Sequence, residues 1–212
     1  MKKFLVFGAA SILTINSALA TEIKPFIGLD IAVSGVSWQD KVDQVNKNAG
    51  IELPDGFYGL GLDAGVRFAN KNMYNAGLSL AYDYSFDADA KLNYFAQQYV
   101  TSLKTSFSAA SIIFDNYIRV SSSEKRKDIV LGLGLARTEE KGELKTTALG
   151  KLNGLSDETE KYHETIVVFK LGYNQQLEDN LDWYINTRWF FPHNASDMEA
   201  VLNLNTGIRY VF

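Results

Sequence analysis

Residues 202–212 read LNLNTGIRYVF, and their alternate members separate into two lists. Leu202, Leu204, Thr206, Ile208, Tyr210 and Phe212 are mostly apolar; Asn203, Asn205, Gly207, Arg209 and Val211 are mostly polar or small. A period of two marks a strand whose faces meet different surroundings. The same division recurs upstream. Ile27, Leu29, Ile31 and Val33 oppose Phe26, Gly28, Asp30 and Ala32. Leu60, Leu62 and Val66 oppose Gly59, Gly61, Asp63, Gly65 and Arg67, and Leu78, Leu80, Tyr82 and Tyr84 oppose Gly77, Ser79, Ala81 and Asp83. Further on, Leu131, Leu133 and Leu135 oppose Val130, Gly132 and Gly134, Val167, Phe169 and Leu171 oppose Val168, Lys170 and Gly172, and Trp183, Ile185 and Trp189 oppose Asp182, Asn186 and Arg188.

One segment, Thr101 to Val120, is less regular. Its apolar set begins on Leu103 and Phe107 and ends on Ile112, Phe114 and Ile118, so a β-bulge near Ala109 to Ser111 is expected. Eight strands result, each about 10 to 14 residues long, against about 5–6 for ordinary globular strands and about 9–11 for transmembrane ones. Their connections alternate in length. NKNM, SSSEKRKD and QLEDN are short, whereas VSWQDKVDQVNKNAGIELPDGF, DADAKLNYFAQQYV and TEEKGELKTTALGKLNGLSDETEKYH are long and PHNASDM is modest. DKVDQVNKNA in the first long loop has the composition of a short helix. Short turns on one rim and long loops on the other are the pattern of an outer-membrane barrel.

An eight-stranded barrel is barely wide enough to hold its own side chains. Glycine gathers on the polar face (Gly28, Gly59, Gly61, Gly65, Gly132, Gly134, Gly172, Gly207), which is therefore the crowded interior. The bulky apolar face then meets lipid, and closure satisfies every backbone group where water cannot reach. Aromatic residues fall into two groups along the strands. Tyr58, Tyr82, Tyr84, Phe86, Trp189 and Phe191 lie toward the long loops, and Tyr173, Trp183, Tyr210 and Phe212 toward the short turns. That is the arrangement of two headgroup-level belts.

The leader MKKFLVFGAASILTINSALA has a basic start, a short apolar core and Ala18-Leu19-Ala20, the pattern of a secretory signal peptide cut after Ala20. The barrel domain is accordingly expected over residues 21–212. The chain has no Cys and only His163 and His193, which excludes thiolate chemistry and a His-rich metal site; no metal and no cofactor is expected. A net charge of −4, made more acidic by removal of Lys2 and Lys3, argues against nucleic acid as a partner.

The topology together with the terminal GIRYVF resembles the small eight-stranded outer-membrane barrels of Gram-negative bacteria, of the OmpA/OmpX and opacity-protein type. The resemblance covers Ile23 to Phe212. It implies location in the bacterial outer membrane and contact with outer-membrane lipid and lipopolysaccharide. It also implies a signal at Ile208, Tyr210 and Phe212 read by the barrel assembly machinery, and long loops facing the cell exterior. The sequence stops where the barrel stops, so no cell-wall-tethering domain is expected.

Charged residues on the inner face include Asp30, Asp63, Arg67, Asp83, Glu164, Lys170, Asp182, Arg188 and Arg209. Asp30, Asp63 and Arg188 count to mid-height, with Arg67 and Arg209 slightly nearer the short turns. Mixed signs in a sealed barrel form ion pairs, since unpaired buried charge is costly; the alternative is a narrow porin-like path. A lipid A-modifying enzyme would need a Ser/His pair near the long-loop rim, where His193, Ser196, His163 and Glu164 stand. Their ordinary reading is polar loop residues, and no catalytic residue is assigned. GLGLDAG lacks the Lys-Ser/Thr of a phosphate loop, and Asn194 opens a formal glycosylation sequon. Asp87, Asp89, Glu139 and Glu140 read as solvated loop charge rather than cation ligands. The chain is expected to be a non-enzymatic surface barrel whose loops are free to meet a host-surface ligand.

Overall fold

In the computed structural model the period-two segments become the staves of a closed barrel; the structure describes residues 22–69, 74–121, 125–192 and 196–212. The leader with Ala18 and Ala20, the turn at 70–73, and His193 and Asn194 lie outside the described residues. The strands are β1 (Glu22–Trp38), β2 (Gly56–Ala69), β3 (Tyr74–Ser85), β4 (Val100–Arg119), β5 (Lys127–Thr146), β6 (Glu158–Glu178), β7 (Leu181–Phe190) and β8 (Met198–Val211). Each pairs antiparallel with the next, and β8 returns to β1 with Phe26 opposite Val211 and Val36 opposite Val201. The Phe212 N–H extends that ladder by donating to Pro25 O at 2.9 Å. The ring is thus closed, and among the described residues it leaves no strand edge open to lipid.

The expected faces hold. Ile27, Leu29, Ile31, Leu60, Leu62, Leu80, Leu131, Leu135, Phe169, Leu204 and Ile208 point outward and are exposed, while Phe26, Asp30, Asp63, Lys170, Arg188 and Arg209 are buried inside. Outer-face rings meet edge to face in two groups, Tyr84–Phe86 and Phe169–Phe191 toward the long loops, Tyr173–Trp183 and Tyr210–Phe212 toward the short turns. Inside, Gly61 and Gly207 sit opposite Asp30 on its two neighbouring strands. A Cβ on Gly61 would come within 1.9 Å of Asp30 Oδ1, and one on Gly207 within 2.7 Å of the Asp30 side chain. The two glycines make the slot that the carboxylate occupies.

Three expectations need correction. The expected bulge near Ala109 to Ser111 is absent: β4 pairs with β5 in unbroken register from Ser102 to Arg119, shifting only between Val100 and Ser102. Leu103 and Phe107 therefore do not face lipid. Phe107 turns inward on the same face as Ile113, Asp115 and Tyr117. The inference of a bulge assumed that apolar residues always mark the lipid side. Here the interior itself is apolar toward the long-loop rim, where Phe57, Phe107, Ile113, Ile166, Val168, Phe190, Met198 and Val201 form one buried cluster.

The third correction concerns strand length. β4, β5 and β6 run for 20, 20 and 21 residues, so most of the third long loop is a strand hairpin standing beyond the ring. Its alternation is charge against charge. Glu139, Lys141, Glu143 and Lys161 lie on one face, with pairs such as Lys161–Glu139 at 3.0 Å and Lys141–Glu143 at 3.2 Å. Glu140, Gly142, Leu144, Tyr162 and Glu160 lie on the other. No hydropathy contrast marks such a strand. The expected helix in the first loop is present as α1 (Asp40–Asn48). Short helices α2 (Tyr94–Tyr99) and α3 (Ala148–Leu152) cap the other two loops, with Asn93 and Thr147 as N-caps whose side-chain oxygens accept from Ala96 N and Gly150 N. Two-residue strands Ile51–Glu52 and Lys91–Leu92 tie the first loop to the second.

Candidate functional site

The lumen divides into layers. At mid-height Arg188 Nη1 donates to Asp83 Oδ1 at 2.5 Å, and its Nη2 lies 3.7 Å from Asp30 Oδ2. Asn205 Nδ2 donates to both carboxylates at 2.9 Å, and the Tyr184 hydroxyl donates to Asp30 Oδ2 at 2.7 Å. Beside this group Asp63 accepts from Arg209 Nη2 at 2.5 Å and lies 3.9 Å from Lys170 Nζ, which donates to Asp115 Oδ2 at 3.0 Å. The Arg209 guanidinium stacks on Phe26 and Tyr184, 4.1 and 4.8 Å from the ring centroids. Nearer the short turns Arg67 Nη1 donates to Asp128 Oδ2 at 2.8 Å, and Arg126 bridges Asp128 and Asp182.

All six interior residues singled out from the sequence, Asp30, Asp63, Arg67, Lys170, Arg188 and Arg209, are therefore inside and ion-paired. Glu164 is half-buried nearer the long-loop rim. Sequence reasoning missed Asp115, Asp128 and Arg126. Asp115 shares the inner face of β4 with Tyr117, and a straight period-two reading of Thr105 to Tyr117 finds it. Arg126 belongs to a short turn whose charge looks solvated in sequence, yet its side chain reaches buried partners.

Above the ion pairs lies the apolar cluster, in which Phe107 and Phe190 meet edge to face, 5.5 Å apart. Beyond it the extended hairpin, the start of the first loop and the fourth loop border a half-open cavity of about 190 Å³, walled by Trp38, Leu53, Leu103 and Tyr162 and bearing Glu140, Glu158, Glu160 and Asp197. The Trp38 indole is fixed by Nε1–H donating to Pro54 O at 2.9 Å. Glu140 is buried and accepts from the Ser196 hydroxyl and, at 3.1 Å, from Asp197 N–H. Burial pushes its carboxyl above the ordinary range, and burial together with the charge of Glu160 does the same to Asp197. The Tyr162 hydroxyl donates to Glu160 Oε2 at 2.7 Å, which pushes Tyr162 up to about 12.

The Ser/His arrangement does not form among the described residues. Ser196 is bound to Glu140, and His163 lies on the other face of the hairpin, 3.7 Å from Glu139. Of the expected terminal signal, Ile208, Tyr210 and Phe212 all face outward, and the Tyr210 and Phe212 rings touch at 5.0 Å.

No family model matches the sequence, and no curated protein sequence does. Solved structures do match. Ail, the attachment invasion locus protein of Yersinia pestis, is 14% identical with a TM-score of 0.56, over 91% of this chain and 100% of that one. Ail in complex with the heparin analogue sucrose octasulfate matches over the same shares, at 14% identity and a TM-score of 0.54. Neisserial surface protein A is 15% identical with a TM-score of 0.50, over 89% of this chain and 97% of that one. At such identities the likeness is one of fold. Together with the closed ring, the apolar outer band and the paired aromatic belts, it makes this chain an eight-stranded β-barrel of the bacterial outer-membrane type.

Proposed function

We propose that this barrel is a non-enzymatic outer-membrane scaffold that presents a folded crown to the cell exterior for attachment. The observation that carries the reading is the contrast between a plugged lumen and an elaborated rim. Ion pairs fill the lumen's middle and an apolar cluster covers them, which favours a scaffold over a channel. On the rim, α2 and α3 dock on each other, with Thr147 Oγ1 donating to Gln98 O at 2.7 Å. Tyr94, Phe95, Leu149 and Leu152 of these helices stay exposed, Leu152 by 86%. An apolar knob held on a paired-strand stalk is the sort of surface that meets a partner. The outer face would meet lipid and lipopolysaccharide, and Ile208, Tyr210 and Phe212 would be the segment recognised during assembly.

Ail has been crystallised with a polysulfated ligand. A polyanion suits this crown poorly: residues 37–56 carry Asp40, Asp43, Glu52 and Asp55 against Lys41 and Lys47. The knob instead fits an apolar protein surface. Bacteria displaying the wild-type barrel should adhere to host-cell monolayers more than bacteria displaying Phe95→Ser/Leu152→Ser, at equal surface levels. Equal adherence overturns the attachment reading. Discrete conductance steps of the wild type in planar bilayers would overturn the sealed scaffold in favour of a pore.

A further inference from the structure

On β3 to β6 the lipid face ends within one rung. Leu80, Ile112, Leu135 and Val167 pair side by side as one outward row, and all four are exposed. The next outward row is Tyr82, Ala110, Arg137 and Thr165, about 7 Å further along the strands toward the long loops. Tyr82 belongs to the aromatic belt on that side, so Arg137 stands at the depth of lipid headgroups. Arg137 is exposed, and its one hydrogen bond is long, Nη1 donating to Thr165 Oγ1 at 3.4 Å. Among the described residues no carboxylate lies within 4.0 Å of its guanidinium.

Two rungs further out, Lys141 of β5 is directly opposite Lys161 of β6 on the same outward face, a like-charge pair that is destabilising in itself. The two carboxylates of this face are already shared. Glu139 lies 3.0 Å from Lys161 and 3.7 Å from His163, and Glu143 lies 3.2 Å from Lys141 and 3.7 Å from Lys145. The lysines also stand further out than the acids, Lys161 at 52% exposure beside Glu139 at 35% and Lys145 at 58% beside Glu143 at 28%. The face therefore offers a surplus of positive charge directly above the lipid band. The acidic first loop lies on the other side of the hairpin, where Val42 and Asn46 border the cavity with Glu140 and Tyr162. Phosphate is the anion found at headgroup depth, and the planar fork of a guanidinium fits it. Arg137 and Lys141 are four residues apart on β5, about 14 Å along the strand. One phospholipid phosphate does not bridge that span; a sugar headgroup phosphorylated at both ends does. We propose that this outer face binds the phosphorylated headgroup of lipopolysaccharide. Arg137 takes one phosphate, Lys141 and Lys161 gather on the other, and the acyl chains lie against Ile112, Leu135 and Val167. The proposal rests on the reading that the outer face meets lipopolysaccharide and is independent of attachment through the knob.

The test is native mass spectrometry of the purified full-length barrel in neutral detergent micelles. The probes are bisphosphorylated lipid A, the same lipid without its phosphates, and phosphatidylglycerol. Wild type should bind the bisphosphorylated lipid at least about tenfold more tightly than either of the others, and Arg137→Gln/Lys161→Gln should weaken that binding about tenfold or more. Both residues are exposed, so the variant is expected to fold, and unchanged heat-modified gel migration checks that. Lys47→Gln/Lys91→Gln removes the same charge from exposed positions in the first two loops and should leave binding unchanged, as should Phe95→Ser/Leu152→Ser. If wild type holds no lipid A, both the site and the contact with lipopolysaccharide are overturned. If wild type binds but Arg137→Gln/Lys161→Gln binds equally, or the remote pair weakens binding as much, the site alone is overturned. Phosphatidylglycerol bound as tightly as lipid A overturns the assignment to a doubly phosphorylated headgroup.

Discussion

The two halves of the lumen are built from opposite materials on the same strands. On β4, Asp115 and Tyr117 lie in the half toward the short turns, and Phe107 and Ala109 in the half toward the long loops. On β7 the division falls within three residues, Arg188 in the charged layer and Phe190 in the apolar one. The charged half holds Asp30, Asp63, Asp83, Asp115, Asp128 and Asp182 against Arg67, Arg126, Lys170, Arg188 and Arg209. Its side chains depend on one another, because each ion was taken out of water and is compensated only by its partners. The apolar half needs only volume. The difference teaches that one half specifies the lumen's arrangement while the other, on the scaffold reading proposed above, would close it, and substitutions should separate the two roles.

The largest effect is expected in the charged half. Arg188→Ala leaves Asp30 and Asp83 without their cation, at a cost of about 3–5 kcal/mol, read as a lowered urea midpoint in micelles. Removing the three charges together, Asp30→Asn/Asp83→Asn/Arg188→Met, should recover much of that loss. If the triple variant is no more stable than Arg188→Ala, the loss is one of packing volume and the two halves are alike. Next comes the apolar half. Phe190→Ala removes one ring of the Phe107–Phe190 pair and should cost about 3 kcal/mol. Phe107→Ala/Phe190→Ala should also admit ions in planar bilayers, where Arg188→Ala stays silent. Conductance from Arg188→Ala alone would place the seal in the wrong half.

How far this division was legible in the sequence follows from what each half presents to the eye. The ring itself, its closure by residues 202–212 and the lipid face were readable because lipid outside and crowding inside impose opposite demands on alternate residues. The charged half was readable for the same reason: Asp30, Asp63 and Arg209 interrupt runs of glycine on the inner face. The apolar half was not. Phe107 inside and Ile112 outside are both apolar, so hydropathy cannot say where one face ends, and a straight strand reads as a bulged one. The hairpin beyond the ring failed for the complementary reason, since Glu139 and Glu140 are both charged and only the paired lysines tell the faces apart. The cavity at the mouth joins residues from Trp38 to Asp197 that no local pattern connects.

A third, smaller effect calibrates the wall between lumen and lipid. Leu62 is exposed on the outer face, opposite Leu29 and Tyr82 and adjacent to buried Asp63. Leu62→Arg should lower stability in lipid bilayers by about 2 kcal/mol, the penalty of a charge on the lipid face. In a lipid-free, water-facing setting the same change would be nearly silent. Unchanged stability in bilayers would therefore count against the lipid face as assigned.

The smallest effect lies at the border of the apolar half and the acidic mouth, at Glu140. It sits opposite Phe107 and Tyr162 on neighbouring strands, with burial outweighing its hydrogen bond from Ser196. Its carboxyl is held above the ordinary glutamate value of 4.5, so folding favours the protonated form. Its contribution to stability is then complete below that ordinary value and declines as pH rises through the raised one. Glu140→Gln keeps an acceptor for Ser196 and removes the charge. The variant should match wild type in urea unfolding at pH 4 and exceed it at pH 8, most clearly at low salt. A variant less stable than wild type at pH 8 would mean that the Glu140 charge is compensated where it stands. The mouth would then be part of the ion-paired lumen rather than an unpaired acidic site above an apolar seal.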